Sequence, residues 1–238
     1  METIRNKTVL LIGATGTIGS GIAKKLADSG ARLYITGRDQ NKLNELADTL
    51  KLNPDQALQL DLTNESSIQN AMETFLSRAG SPDIVINAAG IGIIKPIESL
   101  SVAEFKRTID INLTASFILL KFIIPAMKTA GKGLIIHIPG VLGKTPMAGA
   151  AAYAASKYGL NGMMKSIREE LKRTNIRITQ LFLGGVDSAF WDSIDLKVQR
   201  DKMIAADEAA KAVWFLCQQP ASGVVSEMVI QPFNHQAI

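Results

Sequence analysis

The sequence predicts an α/β fold: one doubly wound, mostly parallel seven-stranded sheet with helices on both faces. Three observations carry that expectation. Short runs of Ile, Leu and Val alternate with amphipathic stretches along all 238 residues. Most of the apolar runs lack polar alternation, as strands buried on both faces of a parallel sheet do. No Pro/Gly/Ser-rich linker interrupts the alternation, so residues 1–238 read as a single domain.

The expected strands are 8-TVLLIG-13, 31-ARLYIT-36, 57-ALQL-60, 84-IVIN-87, 133-GLIIHI-138, 176-IRITQL-181 and 228-MVIQ-231. The expected helices lie between them, at about 17–28, 40–52, 65–79, 101–130, 150–173 and 207–218. The long 101–130 stretch is expected to break near Asn112. Asp39 is placed to cap the second helix, and 63-TNES-66 offers caps for the third.

Composition narrows the function classes. Hydrophobic residues make up 47% and charged residues 20%, as in soluble globular proteins. The formal charge is +4, but the densest basic cluster, 165-KSIREELKR-173, is mixed with acids at helical spacing, so no nucleic-acid partner is expected. The single cysteine, Cys217, permits no intrachain disulfide and suits a reducing compartment. The opening METIRNKTVLLIG reads as a lead-in to a strand, not a signal peptide. The most apolar helix candidate, 113-LTASFILLKFIIPAM-127, is interrupted by Lys121 and Pro125 and is too short to span a bilayer. A cytoplasmic protein with no membrane contact is expected. His137 and His235 are far apart, and no His/Cys/Asp set has metal-ligand spacing, so no metal is expected.

Ligands bind such sheets beyond the carboxyl ends of the strands. After the first strand comes 13-GATGTIG-19, with Gly13, Gly16 and Gly19 in a tight turn leading into a helix. Such a turn aims a helix N-terminus at a phosphate pair and lets the backbone come close; a plain strand–helix turn is the alternative. Thr15, Thr17 and Ile18 belong to the same candidate site. The second strand ends in Gly37 and Arg38, where a site for the dinucleotide without the extra phosphate usually carries an acid. A guanidinium there can grip a 2′-phosphate, with Thr15 as a second candidate. The reading is NADP(H) preferred, NAD(H) possible. Asp39 either caps its helix or turns inward. Asp61 can accept from an adenine amino group, with Leu62 against the ring, or be an ordinary turn residue. Asn87, Ala88 and Gly90, in 87-NAAGI-91, line a cofactor path, or Asn87 ties two loops together.

Tyr153 and Lys157 stand four apart on a helix and share one face, within an almost wholly small-residue segment, 148-AGAAAYAAS-156. An ammonium beside a phenol favours the phenolate, and the tyrosine then exchanges a proton with a carbonyl or alcohol oxygen. An ordinary aromatic and a solvent-facing lysine are the alternative.

Taken in order, the glycine turn at 13–19, 87-NAAG-90, Asn112 and the Tyr153–Lys157 pair resemble the short-chain dehydrogenase/reductase family, of the small single-domain, Rossmann-like type, over nearly the whole chain. The resemblance implies that Tyr153 is the acid/base. Lys157 would hold the nicotinamide ribose and lower the tyrosine pKa. Asn112 would kink its helix and hold a relay water, and Asn87 and Gly90 would line the cofactor cleft. It also implies a homodimer or homotetramer, and the apolar face of 113–127 with the helix at 153–170 offers a surface for one. Burial of that helix inside the monomer is the alternative.

Three departures stand out. Where the family commonly has a serine, thirteen residues before the tyrosine, this chain has Gly140, preceded by Pro139. Thr145 and Ser188 are the nearby hydroxyls, and a water is the other substitute. The family's middle glycine falls one residue later, at Thr17. In 183-LGGVDSAFW-191, Leu183 replaces a proline and Ser188 a threonine. The backbone of Val186 remains placed to hold the nicotinamide carboxamide, with Ser188 near the amide or pyrophosphate; Gly184 belongs to the same candidate cofactor site, and the Gly184–Gly185 pair gives the loop extra freedom. Residues 187–206 are expected to form a mobile amphipathic helix pair over the substrate, and Leu142, Met147 and Trp191 an apolar wall. The expected function is reduction of a small-molecule ketone or aldehyde, or the reverse oxidation. The alternative is a cofactor-binding sensor or scaffold with little turnover.

Overall fold

The apolar runs form seven strands: β1 (Thr8–Ile12), β2 (Arg32–Gly37), β3 (Ala57–Gln59), β4 (Ile84–Asn87), β5 (Gly133–His137), β6 (Ile176–Leu183) and β7 (Glu227–Ile230). Neighbouring strands all pair in parallel, in the order β3-β2-β1-β4-β5-β6-β7. The structure, a computed structural model, describes residues 2–194 and 196–234.

Each central strand is buried on both faces. Val9, Leu11, Ile35 and Ile86 point into one core, with Ile22 and Leu26 of α1 (Thr17–Asp28) and Val213 of α7 (Ala206–Leu216). Their neighbours Leu10, Ile12, Tyr34 and Val85 point into the other. There they meet Phe75 of α3 (Glu65–Ala79), Leu119 of α5 (Ala115–Ala130) and Met164 of α6 (Ala151–Leu171). The period-2 alternation of a strand thus places apolar side chains in both layers, which explains the unbroken Ile/Leu/Val runs. Burying each such side chain contributes roughly 1.5–3 kcal/mol.

The helix starts follow local chemistry. Asp39 caps α2 (Gln40–Thr49), accepting from the N–H groups of Asn41 and Lys42. Asn64 caps α3 through the Ser67 N–H. Ser101 and Glu104 form a reciprocal capping box at α4 (Val102–Ile109).

Two expectations are corrected. The 101–130 stretch does not break at Asn112: a π-helical turn, Asp110–Thr114, carries the chain from α4 into α5. Such a turn inserts a wider loop of backbone without ending the helix. Val102–Ala130 is therefore one helix of 29 residues, long and apolar enough to cross a membrane by length and composition. Here α5 packs against α3, and α4 against α6. Among its described residues, the segment 187–206 is not an α-helix pair either. It holds two 3₁₀ turns, Ala189–Ser193 and Arg200–Lys202, and its ends are joined by a parallel bridge between Val186 and Ile204. Arg200 donates to the Ser188 carbonyl and the Asp192 carboxylate, so side-chain bonds hold the loop where helical backbone bonds were expected.

Candidate active site

The sheet order reverses direction between β1 and β4, which opens a crevice at their carboxyl ends. A cavity of about 820 Å³ occupies this end of the sheet. It gathers Gly16, Thr17, Ile18, Gly19, Ala88, Gly90, Tyr153, Lys157, Gly184, Val186 and Ser188 of the expected site. Gly13, Thr15, Arg38, Asp61, Leu62, Asn87 and Asn112 lie outside its lining. Of these, Gly13, Asn87 and Asn112 shape it from behind.

The glycine turn is built by contact. Gly13 has φ +79°, and a Cβ there would stand 2.8 Å from the Ala89 backbone. A Cβ at Gly19 would stand 2.1 Å from the Gly13 carbonyl oxygen, so only hydrogen allows α1 to start so close to β1. Gly16 is the N-cap of α1 and has no side chain to cap it, so the first N–H groups of the helix are left to a ligand. These features fit a dinucleotide pyrophosphate. At the tip of β2, a Cβ on Gly37 would stand 2.8 Å from Thr15 Cγ2: Thr15 packs against the strand end. Arg38 is exposed there. Asp39 is held as a helix cap, so its inward alternative is not the one adopted.

Asp61 is a turn residue through Oδ1, which accepts from the N–H and hydroxyl of Thr63. Those bonds hold its pKa below the usual carboxylate range, with Arg38 adding to them. Leu62 packs partly against the α3/α5/α6 core. Asn87 ties the end of β4 to α5 and to its own following turn: it donates to Ser116 Oγ and accepts from the Ala89 N–H.

Asn112 is buried on the π-turn and clamps residue 91, accepting from its N–H and donating to its carbonyl, each at 2.9 Å. Its amide also donates to Ser156 Oγ at 2.9 Å, and Ser156 donates to the Tyr153 carbonyl at 2.7 Å. Ser156 thus couples Asn112 to the helix carrying Tyr153. Sequence reasoning missed it, although it is the one serine in an alanine-rich run. Gly90 makes room for this arrangement: a Cβ there would stand 3.1 Å from Asn112 Oδ1 and 3.2 Å from Lys157 Nζ.

Tyr153 and Lys157 share one face of α6, with Nζ 5.4 Å from the tyrosine ring centroid. Lys157 is buried, and its Nζ donates to the Ile138 carbonyl at 3.4 Å. Burial pushes Lys157 down to about 8 and Tyr153 up to about 12. The expected lowering of the tyrosine by the ammonium is therefore outweighed by desolvation in the ligand-free site. His137, at the end of β5, is buried with Nδ1 unpaired among the described residues. Burial and then the Lys157 charge hold it down to about 3, so it is neutral. His235 lies outside the described residues.

Gly140 adopts φ +72°, ψ 166°, a combination nearly confined to glycine. Of the substitute hydroxyls, Ser188 donates to the Val186 carbonyl, and Thr145 lines the cavity. The Val186 carbonyl also accepts from Trp191 Nε1. Leu142, Met147 and Trp191 line the cavity as expected. Sequence reasoning also missed Gly92, whose lack of a side chain seats Phe190; a single glycine in a loop gives no pattern to find.

A parallel doubly wound sheet with a glycine turn at its crevice and a Tyr–Lys pair on an adjacent helix defines a class of nucleotide-dependent oxidoreductase folds. Residues 7–199 match the short chain dehydrogenase family, and the chain belongs to it. An uncharacterised oxidoreductase of Staphylococcus epidermidis is 30% identical over 232 residues, which cover 98% of this chain and 100% of the relative. A metagenomic short-chain oxidoreductase in complex with NADP is similar at 30% identity and TM-score 0.83, covering 98% of this chain and 100% of that one. A 3-ketoacyl-(acyl-carrier-protein) reductase from Brucella melitensis complexed with NADH is similar at 26% identity and TM-score 0.86, covering 97% and 98%. The chain is an oxidoreductase of this family, acting on small molecules.

Proposed function

We propose that this protein is an NADPH-dependent reductase of a ketone or aldehyde, working in the cytoplasm and able to run the reverse oxidation. The observation that carries the reading is the placement of Tyr153 and Lys157 on one face of α6, inside the cavity that the first turn of α1 also lines. Gly13, Gly16, Gly19, Thr17 and Ile18 would hold the pyrophosphate. Gly90, Lys157, Gly184, Val186 and Ser188 would flank the nicotinamide half, with Asn87 and Ala88 shaping the wall. Arg38, exposed at the tip of β2, favours the form carrying a 2′-phosphate, with Thr15 beside it. The adenine would lie near Asp61 and Leu62. Solved relatives bind NADP in one case and NADH in another, so the preference rests on Arg38.

The bound reduced dinucleotide supplies a hydride to the carbonyl carbon. Tyr153 gives its phenolic proton to the carbonyl oxygen, so the product is a neutral alcohol. Lys157, held near 8 by burial, is still mostly charged at pH 7, and its ammonium stabilises the forming phenolate beside it. The Asn112–Ser156 pair holds α6 in place during this exchange. Thr145 is the hydroxyl offered to the substrate oxygen in place of a serine at 140. A homodimer or homotetramer is supported by Phe105, Phe117 and Tyr158, which are exposed on α4, α5 and α6. Residues 187–206 are the substrate loop in this reading.

Gly140 favours a second reading, a dinucleotide-binding protein with little turnover. Tyr153→Phe separates the two. We expect wild-type NADPH oxidation with a panel of carbonyl compounds, and Tyr153→Phe to bind NADPH equally well while losing at least about a hundredfold in turnover. Binding without turnover in the wild type across the panel favours the second reading. Absence of dinucleotide binding refutes both.

A further inference from the structure

Phe190 lines the cavity beside Tyr153. Its ring lies 5.7 Å from that of Tyr153, tilted by 44°. The place it occupies is reserved by the backbone of another loop: a Cβ on Gly92 would stand 2.2 Å from Phe190 Cζ and 2.3 Å from Cε2. Only glycine at 92 admits the ring.

The ring is also held from its own loop. Trp191 meets it edge-on, with centroids 5.2 Å apart and planes at 83°. Trp191 is fixed in turn by its Nε1–H bond to the Val186 carbonyl at 2.9 Å. The Ala189 N–H reaches Thr17 Oγ1 at 3.3 Å, which pins the loop to the glycine turn. Across the cavity stand Ile94, Leu142 and Met147, and no Asp or Glu is among the described residues lining it. A polyhydroxylated substrate would find no carboxylate among those residues to accept its hydroxyl protons in the stronger, charge-assisted bonds that best offset its desolvation. A flat apolar one would lie between an aromatic wall and an aliphatic wall, with its carbonyl oxygen toward Tyr153.

Resting on the reductase reading, we propose that Phe190, seated in the notch left by Gly92, is the specificity-determining side chain of this site and selects aryl ketones and similar planar apolar carbonyl compounds.

The test uses the full chain saturated with NADP⁺, which cannot give hydride, so ketone binding is read without reaction. Acetophenone is titrated calorimetrically into wild type, Phe190→Ala, Phe190→Leu and Gly92→Ala, and NADP⁺ affinity is measured for each. We expect wild type to bind acetophenone, Phe190→Ala and Gly92→Ala to bind it about tenfold more weakly, and Phe190→Leu to fall between, all with unchanged NADP⁺ affinity. With NADPH, the kcat/KM ratio of acetophenone to dihydroxyacetone should fall by a similar factor in Phe190→Ala. Failure of wild type to bind acetophenone, or its retention at full affinity by Phe190→Ala, overturns the proposal. Full affinity in Gly92→Ala overturns the seating role. The expected binding pattern without turnover of any carbonyl by wild type would uphold the wall and refute the reductase reading.

Discussion

Gly140 faces Tyr153: a Cβ on the glycine would stand 3.8 Å from the phenolic oxygen and 3.5 Å from the Leu183 carbonyl oxygen. Space is therefore open for a serine, yet the backbone at φ +72° is closed to one. Gly140→Ser and Gly140→Ala should each cost roughly 1–3 kcal/mol of stability. At about 2–4 °C per kcal/mol for a domain of this size, the loss shows as a lower melting temperature. An unchanged melting temperature for both variants would mean that the 139–143 segment re-forms at no cost. Gain of activity in Gly140→Ser is then expected only together with such a rearrangement.

The three glycines of the turn should not be equivalent. Gly19→Ala drives a methyl group to 2.1 Å from a carbonyl oxygen, whereas Gly16→Ala brings one only to 3.6 Å from the same atom. Thermal stability should collapse in the first variant and stay within a few degrees of wild type in the second, where any loss of dinucleotide affinity comes from the methyl group facing the pyrophosphate. Fluorescence titration and circular dichroism read both.

Arg38 and Asp39 are adjacent but should act separately. Arg38→Ala should weaken NADPH about tenfold or more and leave NADH unchanged, the loss expected for a charge-assisted phosphate contact. Asp39→Ala removes the α2 cap and about 1 kcal/mol of stability, with the NADPH/NADH affinity ratio unaltered. Equal loss of both dinucleotides in Arg38→Ala would refute the phosphate role.

Acid should find His137. Folded, it takes a proton only near pH 3, whereas in the unfolded chain it does so near 6.5. Between these values the unfolded state binds more protons, so stability falls as pH is lowered, by about 1.4 kcal/mol per pH unit from this residue. Urea unfolding at pH 7 and pH 5 should show wild type losing on the order of 2 kcal/mol more than His137→Gln. Equal losses would mean that the folded histidine protonates normally.

Lys157 carries the same sign in a more alkaline window. Its pKa falls from 10.5 to about 8 on folding, so its burial cost is complete below pH 8 and is relieved as pH rises toward 10.5. Lys157→Met should therefore be more stable than wild type at pH 7, by a margin that shrinks by pH 9.5, while losing turnover. Tyr153, held up near 12, opposes this only above pH 10. A margin independent of pH would place the lysine in water.

The sequence by itself determined the order of strands and helices, because apolar periodicity is a local property that burial on two faces imprints on every run from Thr8 to Ile230. It also determined the Tyr153–Lys157 face and the glycine turn, each the product of residues within one or two turns of backbone. Tertiary structure decided what depends on residues far apart. The π-turn at Asn112 is such a case: its register is set by bonds to residue 91 and Ser156. So is the seat of Phe190 at Gly92, ninety-eight residues upstream. The pKa of the Tyr–Lys pair went the same way. Spacing says that ammonium and phenol are close, but only the packed interior says how much water both have lost, and here desolvation is the larger effect.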